Sequence, residues 1–285
     1  MLVDVHAKSS LSEGVTLSAD QVIQRAREVG LDAIAFCETR NTARCQEILD
    51  AAAKYDDIAV FIGVEIPTEK GLLLGFVPEI DDFYNGEEWR ALTDVTIPSP
   101  EAVIALFESK NGAVIAARPY DLDIPFNMGD FIFSFEHIKG VEVFNPRVGE
   151  IQNNFALEAA ASMGLSTVGG SDPTNSLDVI GQYATFFDSD LKTQRQFVEA
   201  LRASEFWAVQ IGDANPKKSS RTERAERASS GRSSGGASRD GGGRSGGAGR
   251  DGGGRSGGGG RDGGGRSGGG RSGGKSGAGR SGNRS

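Results

Sequence analysis

Histidine and cysteine are nearly absent from this chain of 285 residues, which has two of each. The cysteines, Cys37 and Cys45, follow a start with no cationic, apolar leader, since acidic Asp4 stands close to the first residue. That combination reads as a cytoplasmic protein with free thiols. No apolar run approaches the ~20 residues that a bilayer-spanning helix needs, so no membrane partner is expected. Beyond about Ser219 aromatic residues are missing altogether, as is every aliphatic side chain larger than alanine. A stretch of nearly pure Gly, Ser and Arg cannot bury enough apolar surface to offset the entropy of ordering it. The expected division is a folded domain over residues 1–212 and a disordered, basic Gly/Arg/Ser-rich tail over 213–285.

What is present is unevenly charged. From Lys217 onward 16 Lys and Arg stand against 5 Asp and Glu, whereas the preceding residues hold 15 basic and 34 acidic side chains. An acidic globule tethered to a basic arm has two sets of partners, and the arm is the part that attracts polyanions. Near-copies of RDGGGRSGG begin at Arg239, Arg250 and Arg261. With Arg244, Arg255 and Arg266 these are the candidate contacts to RNA or another polyanion. Binding of that kind neutralises phosphates, so it is sensitive to salt and indifferent to sequence. Arg-Gly-Gly triplets are absent, and no aromatic side chain is available to stack on bases. A solubilising linker, or an arm that folds back on the acidic domain, is the competing reading.

Before the tail, short apolar runs alternate with helical periods. Residues 2–5, 33–36, 58–66, 72–77, 113–117, 141–144, 166–168, 183–187 and 207–211 read as strands. Helices are expected over 19–29 behind an N-cap at Ser18, over 42–54, and over 100–109 behind Ser99 with Pro100 in the first turn. Two more are expected over 150–163, stopped by Gly164, and over 191–201. Residues 81–94 read as an acidic loop. Apolar strands alternating with helices argue for a parallel sheet covered on both sides, and this many units favour a closed barrel. In such a barrel, polar residues just after the strands line the functional face. Here those residues are Asp4, His6, Glu38, Glu65, Arg118, Asn145 and Asp172.

At these positions the sequence resembles the polymerase-and-histidinol-phosphatase (PHP) family. The family's opening Asp-x-His-x-His corresponds to Asp4-Val5-His6-Ala7-Lys8, and its Thr-Asp-His to Cys37-Glu38-Thr39. Gly63-Val64-Glu65 matches Gly-x-Glu, and Gly71-Leu72-Leu73-Leu74-Gly75 takes the place of Gly-His-x-Leu-Gly. Ala-His-Pro reads Ala117-Arg118-Pro119, the strand GVEVFN at 140–145 is unchanged, and Gly-Ser-Asp-Ala-His reads Gly170-Ser171-Asp172-Pro173-Thr174. The resemblance runs through the whole of residues 1–212 and implies an α/β fold, a distorted TIM-like (β/α)7 barrel of the PHP type.

It also implies a chemistry. Family members gather two or three divalent metals on His and carboxylate ligands, which polarise a phosphoryl oxygen and activate a bound water. Carried over, His6, Glu65 and Asp172 match ligand positions, and Glu38 replaces an aspartate. Lys8, Thr39, Leu72, Arg118 and Thr174 stand where the family has histidine, and the other histidine, His137, lies in an unrelated segment. Lys8 and Arg118 put positive charge where metal charge would sit, and like charges oppose metal binding. They are expected to pair with Glu38, Glu65 and Asp172, giving an inactive, phosphoesterase-like barrel that holds no metal in catalytic stoichiometry. The alternative is an active phosphoesterase with one divalent metal (Mg, Mn or Zn) on the carboxylates. Lys8 and Arg118 would then bind the phosphate of a small phosphorylated ligand.

Asn145 and Arg147 either line the pocket or merely form the turn at Pro146. Cys37 has no histidine partner for a nucleophile's role, and Cys45 reads as helix packing.

Overall fold

A computed structural model describes residues 1–40 and 45–212. The tail, with its arginines from Arg239 to Arg266, lies outside the described residues, as does the expected start of the second helix. In chain order the elements are β1 (Leu2–Ala7), α1 (Ala19–Glu28), β2 (Ala33–Thr39), α2 (Cys45–Ala52), β3 (Ala59–Thr68) and β4 (Gly71–Phe76). Then come α3 (Ile80–Tyr84), α4 (Glu87–Asp94), α5 (Pro100–Ser109) and β5 (Ala113–Ala117). A 3-10 helix (Gly129–Ser134) precedes β6 (Gly140–Phe144), α6 (Glu150–Met163) and β7 (Ser166–Gly169). After a short 3-10 turn (Leu177–Val179), β8 (Tyr183–Phe187), α7 (Gln194–Ala203) and β9 (Phe206–Gln210) complete the domain.

Local chemistry sets the helix ends. Ser18 Oγ accepts from the Gln21 amide at 3.2 Å while Gln21 Oε1 accepts from the Ser18 amide at 2.9 Å, a reciprocal box that opens α1. Ser99 caps the Ala102 amide of α5 at 3.2 Å, with Pro100 where no intrahelical donor is needed. Gly164 ends α6 in the left-handed region at φ 66. The segment expected to be an acidic loop is instead α3 and α4. Their acidic side chains face solvent, but Phe83, Tyr84 and Trp89 are buried against Phe107 of α5, and that apolar cluster folds the segment.

The strands form one nine-stranded sheet in the order β7-β6-β5-β4-β3-β2-β1-β8-β9. A parallel sheet was the expectation, and for two strands it is corrected here. β4 runs antiparallel to both β3 and β5, and β8 runs antiparallel to β1 and β9. Only Glu69 and Lys70 separate β3 from β4, enough for a hairpin, whereas a parallel connection needs about a dozen residues. The sheet curls until its two end strands meet, and hydroxyls join the seam. Thr167 Oγ1 accepts from the Ala208 amide at 3.0 Å; Thr185 Oγ1 accepts from the Gly169 amide at 3.0 Å and donates to the Gly169 carbonyl at 3.1 Å.

Alternation then sorts the side chains. Val3, Val5, Ala35, Phe61, Leu74 and Ile115 face inward, while Ile34, Phe36, Ile62, Leu73 and Val114 pack outward under the helices. At one end Phe197 of α7 stacks on Phe61, with ring centroids 4.4 Å apart, and meets Phe76 and Phe187. α7 thereby plugs the end from which β1, β2, β3 and β5 start. The opposite end, where those strands finish, holds the polar residues.

Candidate functional site

Two bulges aim the key side chains. Along β1, Asp4 pairs with Ile34 and Ala7 with Phe36, so Val5 and His6 both stand opposite Ala35. An extra residue of this kind re-aims the next side chain, and it brings His6 to the interior. A second register shift between Glu142 and Phe144 in β6 adjoins Glu142, whose strand partner Val168 faces inward. His6 is fully buried, with Nδ1 at 2.9 Å from Glu142 Oε1 and Nε2 at 3.1 Å from Glu65 Oε2.

Just past the strand ends, Arg118 and Asp172 adopt left-handed backbone conformations, with φ 41 and φ 40. Such conformations cost L-residues roughly 1–3 kcal/mol each and are held only by surrounding contacts. The contacts here are charged. Lys8 Nζ donates to Glu65 Oε1 at 2.8 Å and lies 3.1 Å from Asp172 Oδ1. The Arg118 guanidinium lies 3.3 Å from Asp172 Oδ2 and 3.6 Å from Glu65 Oε2, and donates to Asp121 Oδ2 at 2.7 Å. Arg147, half exposed above them, reaches Asp172 Oδ2 at 3.3 Å. Arg118 Nε and Asp172 Oδ1 make no well-directed hydrogen bond, so their hold is Coulombic.

Burial and pairing pull the proton affinities in opposite directions, and pairing wins at the centre. Burial would push the His6 imidazole down, but the charges of Glu142 and Asp172 and the bonds to Glu142 and Glu65 push it up to about 10. Burial opposes the charge of Lys8 and Arg118 too, and again the carboxylates override it, Glu65 and Asp172 foremost, raising both. Conversely Glu65 is held well below the usual carboxylate range, despite burial, by Lys8, His6 and Arg118, and Asp172 is lowered by His6, Lys8 and Arg118. Asp4 is different. Its burial outweighs the bonds from Ser171 and the His6 amide, and its carboxyl is raised to about 6.

Of the residues singled out in sequence, His6, Lys8, Glu65, Arg118 and Asp172 meet in this one cluster. Glu38 does not join it. Its carboxylate accepts from the Ser9 amide at 2.8 Å, from Ser9 Oγ at 2.7 Å and from Ser12 Oγ, all on the loop after β1. The expected pairing of Lys8 or Arg118 with Glu38 is corrected accordingly, because local hydroxyls reach that carboxylate first. Asn145 serves both suggested ends: its Oδ1 accepts from the Arg147 amide in the turn, and its Nδ2 donates to Glu142 at 2.9 Å. Thr39 Oγ1 donates to Glu65 at 3.1 Å, while Leu72 is buried among apolar neighbours. Cys37 is buried with its thiol pushed well up by desolvation, and His137 is exposed beside Glu108.

Glu142 and Asp121 were not anticipated. The signal for Glu142 was available: a carboxylate inside GVEVF, in a strand buried on both faces, must have an internal partner.

The barrel thus has one polar end, where the charged cluster lies, and one end plugged by α7. Residues 150–206 match the family model described as PHP-associated. Among solved structures, an amidohydrolase from Chromobacterium violaceum with bound sulfate and no metal shares the fold. It superposes with a TM-score of 0.51 at 18% identity, over 74% of this chain and 99% of that one. A protein of Bifidobacterium adolescentis assigned as a metal-dependent phosphoesterase gives a TM-score of 0.48 at 18% identity, over 70% of this chain and 95% of that one. No curated protein matches the sequence. No helix among the described residues is long and apolar enough to cross a membrane.

The fold raises the question of a metal. His6, Glu65 and Asp172 offer ligand atoms that all lie within 4.8 Å of one another, room for one ion. Both ring nitrogens of His6 are already bonded to carboxylates, however, and Glu65 and Asp172 are committed to Lys8 and Arg118. A divalent ion among these atoms would face an ammonium and a guanidinium at contact distance. In this arrangement the donor set does not fit a multi-metal centre.

Proposed function

We propose that the PHP-type barrel of this chain is a metal-independent binding module, not a phosphoesterase, and that its own ion pairs hold its mouth shut. The observation that carries this reading is the seat of Lys8, 2.8 Å from Glu65 and 3.1 Å from Asp172, in the space a shared ion would need. Lys8, Glu65, Arg118 and Asp172 are each at most 5% exposed, so the two cations are spent internally and leave little field to draw in a phosphorylated ligand.

The test is elemental analysis of the purified full chain after exposure to Mn, Mg and Zn, with assays on a phosphomonoester and a phosphodiester. The expected result is no stoichiometric metal and no turnover above the chemical background. Stoichiometric metal together with hydrolysis that Glu65→Gln abolishes would establish the second reading. That reading rests on the spacing of His6, Glu65 and Asp172. It is a one-metal hydrolase of nucleotides, nucleoside bisphosphates or nucleic-acid 5′ ends.

For residues 213–285 the charge count supports contact with RNA or another polyanion, through Arg239, Arg244, Arg250, Arg255, Arg261 and Arg266 among others. Affinity for single-stranded RNA is expected to fall log-linearly with salt, with a slope of about −0.7 per phosphate neutralised, and to vanish on truncation after Asn215. Filter binding at several salt concentrations measures both; affinity that survives truncation rejects the assignment.

A further inference from the structure

The barrel's polar end carries an apolar surface that neither the fold nor the ion-pair cluster uses. On α6, Ile151 and Phe155 stand one turn apart on the same face and are 66% and 49% exposed. Phe155 packs against Tyr120, with ring centroids 5.7 Å apart, on the excursion that leaves β5. The same excursion exposes Leu122 at 72%, with Phe126 and Phe131 more than half exposed. Single exposed apolar residues are ordinary, but a set this large concentrated on one excursion and the helix beside it marks an interaction surface.

The excursion is built, not loose. Met128 and Ile132 anchor it in the core, and the Gly129 amide donates to the Pro119 carbonyl at 2.7 Å. Asp121 is held by Arg118 at 2.7 Å and itself accepts from the Asp123 amide at 2.9 Å. The aromatic side chains are therefore presented on a fixed frame, which lowers the ordering cost of a contact. Arg118 ties that frame to the buried ion pairs.

The border of this surface is acidic. Asp123, Asp130, Glu150 and Glu158 are exposed there, and Tyr120 Oη donates to Asp130 at 3.1 Å. The nearby cations are occupied: Lys70 lies over the Phe131 ring and 3.6 Å from Glu101, and Arg147 is turned onto Asp172. An anionic membrane or a nucleic acid would meet repulsion here, and a second copy would set one acidic border against another. An apolar centre within an acidic rim complements a basic amphipathic segment, whose large apolar side chains fill the centre while its Lys and Arg meet the rim.

We propose that the face formed by Tyr120, Leu122, Phe126, Phe131, Ile151 and Phe155 docks a partner protein through a basic, amphipathic helical segment. The probe is a fluorescent model peptide of Leu and Lys with leucines at helical spacing, titrated into the full chain. Its counterpart with Glu in place of Lys is titrated in parallel. Saturable binding of the Lys peptide is expected, with at least about a tenfold loss in Ile151→Asp and in Phe155→Asp, as for central apolar anchors. Both sites are exposed, so thermal unfolding of these variants should match the parent. Equal binding of the two peptides, or binding that either variant leaves intact, overturns the proposal. So does a concentration-dependent dimer in sedimentation that Ile151→Asp dissolves, which would assign the face to a second copy. Co-flotation with phosphatidylserine-containing vesicles, lost in the same variant, would overturn it in favour of a lipid surface.

Discussion

Lys8→Met is expected to destabilise the barrel by about 3–5 kcal/mol, because removing one partner of a buried ion pair strands the charges left behind. Lys8 is 5% exposed and sits between Glu65 and Asp172, whose carboxylates both depend on it to stay ionised. Methionine keeps most of the volume of the side chain, so the loss reports charge and not a cavity. Adding Glu65→Gln should return part of the loss, since it removes one of the stranded anions. If Lys8 occupies the place of a cation, millimolar Mg or Mn should also raise the urea midpoint of Lys8→Met while leaving the parent unmoved. A single-variant loss below about 1 kcal/mol, the range of surface ion pairs, would show that Lys8 does not anchor the cluster.

Stability should fall by several kcal/mol on the order of the His6 linkage between pH 6.5 and 10. The folded-state pKa of His6 is raised from 6.5 to about 10. Its contribution is therefore complete below pH 6.5 and is lost as pH rises through 10. Asp4, raised from 3.8 to about 6, also favours its protonated form in the fold, so its contribution declines between pH 3.8 and 6. Glu65 and Asp172 are lowered and act in the other direction: what they contribute is present above their unfolded values near 4 and is lost in acid. The sum places the optimum contribution of these groups in mildly acidic solution. Urea titrations at pH 5, 7, 9 and 10 measure it, and in His6→Gln the alkaline decline should flatten. An alkaline decline equal in parent and variant would assign it to other groups.

Much of this architecture can be read from the chain, and the parts that cannot have identifiable causes. Ser18 with Gln21, Ser99 with Pro100, and Gly164 mark helix ends by local bonds that need no tertiary context. The direction of β4 was legible too, in the two residues that separate it from β3, but apolar runs alone do not carry direction. α3 and α4 escape notice because their acidic surface dominates the local composition, while burial of Phe83 and Trp89 depends on α5.

At the site, charge type predicts that Lys8 and Arg118 meet carboxylates. Which carboxylates they meet depends on reach. Glu38 is captured by Ser9 and Ser12 on the loop after β1, whereas Asp121 is brought to Arg118 by the left-handed turn at φ 41. A bulge such as the one that turns His6 inward has no composition signature at all.

The seam where β7 meets β8 and β9 gives the domain a grain. Everywhere else around the wall, neighbouring strands share a ladder of peptide-group hydrogen bonds. Along that one line Ser166, Thr167 and Thr185 stitch the cylinder through side-chain oxygen atoms. The wall is thus closed along that line by side-chain oxygens and not by a peptide ladder. Removing a hydroxyl there takes one bond out of the closure and leaves every ion pair at the mouth in place.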